Sequence, residues 1–236
     1  MTRSVRRLVV PVAVFTVVAV GVVGCVVPGA NTSGTGVLKE CGPEGLIDDL
    51  EDGNSQIAIV GGRNGYWSSY VDKVGTTMTP LGTFESVEGG HDGSQYCAEM
   101  KGKLAGASVV YAGIGFNLVD PKAPFDASKY QGITFFAKRA PNTSSKLTVK
   151  LPDISTDPDG KICSDCYNDF SYTIDVGEQW QRYVLVFHDL KQEPYWGSPR
   201  KPHIDPHKLF AIHWEAKQSG ADFDFFIDDI AFVCGG

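Results

Sequence analysis

The stretch Phe223-Asp224-Phe225-Phe226-Ile227-Asp228-Asp229-Ile230-Ala231-Phe232-Val233 decides the fold of this chain. It is apolar and long enough for a strand, yet three carboxylates stand inside it. Successive residues of a strand point to opposite faces. Phe223, Phe225 and Ile227 therefore share one face with Asp229, while Phe226, Ile230 and Phe232 share the other with Asp224 and Asp228. Apolar residues on both faces predict a strand covered on both sides. Carboxylates placed there need a partner or a cation.

Near the start of the folded part, Leu46-Ile47-Asp48-Asp49-Leu50-Glu51-Asp52-Gly53 repeats the theme. Laid side by side, the two stretches close a β-sandwich at its termini. They also gather hard oxygen ligands of the kind calcium takes. The candidate ligands are Asp49, Glu51 and Asp52 from the first stretch and Asp228 and Asp229 from the last, with alternation putting Asp49 and Glu51 on one side. The competing reading is a solvated acidic edge that blunts aggregation.

Between these ends, alternation recurs and helical periodicity does not. Ile133, Phe135 and Ala137 alternate with Thr134, Phe136 and Lys138, and 147–151 exposes Thr148 and Lys150 in the same way. The runs 108–118, 182–187, 209–215 and 223–233 complete the set, punctuated by Gly61-Gly62, Gly89-Gly90, Pro141-Asn142 and Ser219-Gly220. Many short strands separated by turn residues read as an all-β sandwich or barrel.

The first residues read as a targeting leader. Arg3, Arg6 and Arg7 precede an apolar run over 8–23 that ends in Val22-Val23-Gly24-Cys25. The run is too short for a comfortable membrane span, and its end resembles a lipobox, in which the cysteine is lipidated. The alternative is an ordinary secretory signal with an incidental cysteine. The expected organisation is a lipoprotein signal peptide at 1–24, a glycine-rich tether at 25–40 and one domain at 41–236. Val26 after Cys25 carries no inner-membrane retention signal, which favours the outer membrane or cell surface.

Three of the 21 basic residues fall in the leader, leaving 18 against 28 acidic ones, net −10. Such a chain excludes nucleic acid as the expected partner and is a poor peripheral binder of anionic lipid, so attachment to a membrane falls to Cys25. In an oxidising compartment the remaining cysteines default to disulfides. Cys41 and Cys234 flank the first and last strands, and a bridge between them would staple the domain shut. Cys163-Ser164-Asp165-Cys166 can close on itself. Zinc would need a second pair at suitable spacing. Cys97 is left over, as a buried thiol or a competitor for either cysteine of the short motif.

Several blocks recur in an order that resembles a known family: 46–53, Gly62-Arg63-Asn64-Gly65-Tyr66-Trp67, Gly113-Ile114-Gly115-Phe116-Asn117-Leu118, 130–138, Trp180 through Gln192, and 226–232. Over 46–233 the chain resembles the galactose-binding-like jelly rolls related to family 11 carbohydrate-binding modules, in versions attached to bacterial lipoproteins. The resemblance implies a two-sheet antiparallel jelly-roll β-sandwich, a structural calcium for which Glu51 and Asp228 are favoured, and glycan binding on a concave sheet face or at edge loops. It speaks to fold more than to ligand.

Saccharides stack their C–H faces on aromatic rings and hydrogen-bond to amides and charged groups. The outward residues Asn117, Phe136, Lys138, Lys150, His213 and Glu215 supply such groups. Trp67 and Tyr70 follow the glycine-rich loop, and Tyr195-Trp196 lies in another. Trp196, between Pro194 and Pro199, has no strand to pack in and is the expected exposed platform. Trp180 and Trp214 occupy apolar strand positions and read as core, while Trp67 fits either setting. The acidic run Asp153, Asp157, Asp159 echoes an EF-hand but puts Cys166 where a bidentate Glu belongs, so it reads as a polar loop.

Catalysis has no comparable support. No carboxylate pair stands out for glycoside cleavage, and His203 and His207 flank Pro206 in an irregular stretch. The expected function is non-catalytic polysaccharide or oligosaccharide binding by a monomeric surface lipoprotein. The alternative is a structural or protein-interaction domain that keeps the sandwich.

Overall fold

In the computed structural model, which describes residues 38–235, the alternating runs become thirteen strands among the described residues. They are β1 (Lys39–Glu40), β2 (Leu46–Asp48), β3 (Trp67–Val71), β4 (Thr77–Thr79), β5 (Val87–Glu88), β6 (Tyr96–Lys103), β7 (Ala112–Asn117), β8 (Gly132–Arg139), β9 (Lys146–Leu151), β10 (Phe170–Asp175), β11 (Gln181–Val186), β12 (Ala211–Ala216) and β13 (Asp222–Cys234). A large sheet runs β11-β8-β13-β6-β4, with β1 and β2 added to β13 and β5 to β6. A small sheet runs β10-β9-β12-β7-β3. The pairings are antiparallel. The leader, most of the tether and Cys25 lie outside the described residues.

The inner faces meet as alternation demands. Phe135 from the large sheet stands edge-on to Trp214 from the small one, with ring centroids 5.4 Å apart. Trp67 stacks between Phe84 and Trp214 at 4.6 and 5.7 Å. Trp214 is fully buried, as its strand position predicts.

The ends pair side by side: Asp48 lies opposite Ile230 and Leu46 opposite Ala231. The domain also starts earlier than the tether boundary at residue 40 implied. Lys39 and Glu40 already pair with Cys234 and Val233, because β13 offers them a free edge. Cys41 and Cys234 are bridged, Cα to Cα 5.2 Å, and Cys163 and Cys166 form the short bridge, leaving Cys97 as a buried thiol. The loop holding Asp153, Asp157 and Asp159 is a polar loop. Asp157 accepts from the Asp159 N–H and pairs with Lys122.

β13 departs from the sequence reading in an instructive way. The expected cover on both faces holds from Asp228 onward, where Asp228, Ala231 and Val233 are buried opposite the core side, and the core side itself changes face. Its core residues are Phe223, Phe225 and Ile227, then Ile230 and Phe232. A bulge falls between Asp228 and Ala231, where Asp229 takes a left-handed φ of 50°. One extra residue shifts the side-chain parity, so even-numbered residues point inward after it.

The carboxylate buried at the start is Asp48, which accepts from the Trp67 indole N–H at 2.6 Å and from the Leu50 N–H at 3.1 Å. Burial pushes its pKa up to about 7, against the pull of those two hydrogen bonds. Between roughly pH 4 and 7 the folded chain then holds a proton that the unfolded chain has lost, so stability falls as pH rises through that window. Asp48→Asn keeps an acceptor for Trp67 and does not titrate. It is expected to melt several degrees above the wild type at pH 8 and level with it at pH 4. Equal melting temperatures at both pH values would contradict this.

Candidate functional site

The outer face of the small sheet carries two cross-strand rows. One runs Ser171, Lys150, His213, Gly115, Ser68, and the other Thr173, Thr148, Glu215, Gly113, Tyr70. The two glycines of β7 leave room for their neighbours to lie flat. A Cβ on Gly113 would sit 2.6 Å from the Tyr70 ring, and one on Gly115 would sit 2.5 Å from His213 Cδ2. Tyr70 crosses the gap and its hydroxyl donates to Glu215 Oε2 at 3.2 Å. Burial, then the Glu215 and Asp169 carboxylates, raise the Tyr70 pKa well above its ordinary value. His213 packs edge-on to Tyr70, centroids 5.5 Å apart. Burial, helped by Lys150 and Lys122, lowers its pKa to about 3, so the imidazole stays neutral.

Lys150 centres the floor. Its ammonium lies 3.2 Å from Asp169 and 3.6 Å from Glu215. Burial pulls its pKa down, but the two carboxylates outweigh that pull and the net shift is upward. Burial raises the pKa of Asp169, and its Oδ1 has no hydrogen-bond partner. Lys217 extends the network by pairing with Glu193 and approaching Glu215 to 3.9 Å. A shallow cleft of about 300 Å³ opens here, lined by Lys146, Thr148, Thr173, Glu193, Lys217 and Gln218.

Aromatic residues rim this floor. Trp196 is 39 % exposed and its indole N–H donates to Glu193 Oε2 at 3.1 Å; Tyr195 is 95 % exposed and Tyr167 64 %. Tyr167 and Tyr195 both hold left-handed backbones, with φ of 72° and 77°. That conformation is unfavourable for a bulky residue and clusters at functional sites. Tyr167, Asp169, Glu193 and Lys217 were not among the sequence candidates. They sit in or next to loops, where no period exists to orient them. Thr148 and Thr173 were legible in principle, as outward positions of alternating strands.

The remaining candidates divide. Asn117 ends β7 opposite Ala211, at the border of the same face. Trp67 is a correction: it lies in the core, 5 % exposed, held by Asp48. Phe136 and Lys138 are also corrections to the idea of one shared face. They point outward from the large sheet, where Phe136 opposes Asp228 and Lys138 opposes Phe226, with the whole core between them and Lys150. Trp180 joins them rather than the core, its ring 4.6 Å from the Lys138 ammonium, and His91 stacks on Phe136 at 3.6 Å. Alternation says which residues of one strand share a face; it does not say which sheet that strand joins.

The expected calcium ligands are hydrogen-bonded to protein donors. β2 ends at Asp48 and Leu50, two residues on, takes a φ of 61°, so Asp49 and Glu51 are not alternate residues of one strand. The Glu51 carboxylate is turned to the Ser94 hydroxyl and the N–H groups of Gln95 and Tyr96, at 2.7, 3.0 and 2.8 Å. Asp228 accepts from the His91 N–H at 2.7 Å, and Asp229 meets the His91 ring at 3.2 Å. Asp49 and Asp52 each cap a backbone N–H two residues on. Among the described residues no three acidic or histidine side chains gather for a metal. Calcium takes six to eight oxygens; the two favoured ligands, Glu51 and Asp228, both meet the Ser94 hydroxyl.

Neither a protein-family model nor a curated protein sequence matches the chain. Solved structures do. The family 11 carbohydrate-binding module of a cellulosomal cellulase of Clostridium thermocellum aligns with a TM-score of 0.56 at 18 % identity, over 81 % of this chain and 94 % of that one. A family 11 module from the same organism, in complex with a β-1,3-1,4-mixed-linked tetrasaccharide, gives 0.56 at 17 % identity over 80 % and 95 %. At such identities the likeness speaks to architecture. This chain is an all-β, two-sheet antiparallel jelly-roll sandwich with the fold of the family 11 carbohydrate-binding modules.

Proposed function

We infer that the outer face of the small sheet binds a polysaccharide or oligosaccharide without cleaving it. The observation that carries this reading is the exposed aromatic rim, Tyr167, Tyr195 and Trp196, beside a floor of alternating donors and acceptors. Exposed rings offer stacking faces to pyranose C–H groups. The floor sets Lys146, Lys150 and Lys217 against Asp169, Glu193 and Glu215, a near balance of charge that suits a neutral polyhydroxyl chain. A family 11 structure holding a mixed-linked tetrasaccharide supports the same class of ligand.

Trp196→Ala is expected to abolish retardation of the chain in gels containing mixed-linkage β-glucan, with an unchanged melting temperature. Retardation equal to wild type would remove the platform, and failure of the wild type to bind any glycan on an array would sink the reading. That last outcome would favour a protein-contact domain, for which the half-buried Phe136, Trp180 and Phe226 on the outer side of the large sheet are the observation. The leader adds an export route and a lipid anchor at Cys25. Labelling of the exported chain with a radioactive fatty acid is expected to vanish in Cys25→Ala; label retained by the variant would refute the anchor.

A further inference from the structure

The rim aromatics depend on how two loops grip each other, and the grip is made at the short disulfide. Ser164 and Asp165, the two residues enclosed by Cys163 and Cys166, both bond to the loop that carries Tyr195 and Trp196. The Ser164 N–H donates to the Ser198 carbonyl at 2.9 Å, and the Ser198 N–H donates back to the Asp165 carbonyl at 3.0 Å. The Gly197 N–H donates to Asp165 Oδ2 at 2.9 Å.

Directly after Cys166 come Tyr167, a rim residue, and Asn168. The Asn168 amide donates to the Trp196 carbonyl at 2.6 Å and the Glu193 carbonyl at 2.9 Å, and its Oδ1 accepts from the Glu193 N–H at 2.8 Å. Gly197, with a φ of 85°, permits this contact, since a Cβ there would lie 2.5 Å from Asn168 Cβ. Asp169, next in the chain, is the partner of Lys150 in the floor.

We propose that the Cys163–Cys166 bridge is a positioning element of the saccharide site, fixing the aromatic rim rather than holding the fold together. The proposal rests on the saccharide reading above. Three features carry it. The bridge joins cysteines three positions apart, so it removes little loop entropy from the unfolded chain. Cys41 and Cys234 pack against the core cluster, whereas Cys163 and Cys166 do not belong to it. Tyr167 and Tyr195 hold left-handed backbones that the surrounding structure must enforce. Ordering a rim before the ligand arrives raises affinity by lowering the entropy lost on binding.

The test is the double variant Cys163→Ser/Cys166→Ser of the chain with Cys41–Cys234 intact. It is read by retardation in mixed-linkage β-glucan gels, by amide exchange and by thermal melting. Affinity is expected to fall about tenfold or more, with the Gly197 and Ser198 amides exchanging faster and the melting temperature within about 5 °C of wild type. Asp165→Ala, which keeps the bridge and removes the acceptor for Gly197, is expected to give a smaller loss in the same direction. Unchanged affinity and unchanged exchange in the double variant would overturn the proposal while leaving the saccharide reading standing. A uniform rise in exchange over both sheets with a large drop in melting temperature would show the bridge to be a fold staple. A wild type that binds no glucan overturns both.

Discussion

Cys41→Ser is expected to lower the free energy of unfolding by about 5 kcal/mol. The bridge joins residues 193 apart in sequence. Holding the ends of so long a loop together removes much of the conformational freedom of the unfolded chain, and the gain rises with the logarithm of loop length. The folded sheet brings the two cysteines together. β1 already pairs with the end of β13, and the Cys41 N–H donates to the Phe232 carbonyl at 3.4 Å, so the thiols meet where the sheet has brought them. For a domain of this size the loss corresponds to a fall in melting temperature of roughly 10–20 °C. Calorimetry of Cys41→Ser and Cys234→Ser, each read against the wild type, checks it. Variants that melt within a degree or two of the wild type would mean that strand pairing alone closes the sandwich.

Lys150→Met is expected to cost 3–5 kcal/mol at pH 7.5, within the range of about 3–5 kcal/mol for breaking a buried ion pair. The Lys150 side chain is 14 % exposed, and its partners Asp169 and Glu215 are 3 % and 5 % exposed. Without the ammonium, Glu215 keeps the Tyr70 hydroxyl and Lys217 at 3.9 Å, while Asp169 is left buried without its cation. Asp169 responds by binding a proton. Burial already raises the pKa of Asp169, and losing its cation raises it further. The folded variant would then hold a proton on Asp169 that the unfolded chain has released, so its stability rises as pH falls toward the ordinary carboxylate range. The deficit should therefore shrink between pH 7.5 and pH 5. Adding Asp169→Asn and Glu215→Gln should recover most of it, since the cost lies in the uncompensated charges and not in the lost side chain. Glycan retardation should be lost in both variants. A deficit that is small, or that grows on acidification, would show that Lys150 does not neutralise this cluster.

Much of the scaffold was legible in the residues. The strands at 112–117, 132–139, 146–151 and 211–216 follow from alternation, which is local and survives in any sheet the strand joins. The pairing of the two acidic ends and both disulfides followed from chain order and compartment. The errors share one cause. Phe136, Lys138 and Trp180 were joined with Lys150 or with the core because outwardness is a relation to one sheet, and the sheet is chosen by pairing far along the chain. Asp49 and Glu51 were placed on one side by an alternation that Leu50, with its left-handed backbone, had already ended.

By itself the sequence determined which residues alternate, that the ends can meet, and that Trp196 has no strand to bury it. Only the tertiary structure decided that the bulge at Asp229 turns β13 over, that Trp67 belongs to Asp48, and that Tyr167, Asp169 and Glu193 join Lys150 and Trp196 at one face. Those outcomes depend on contacts between residues far apart in the chain. A period of two carries no information about them.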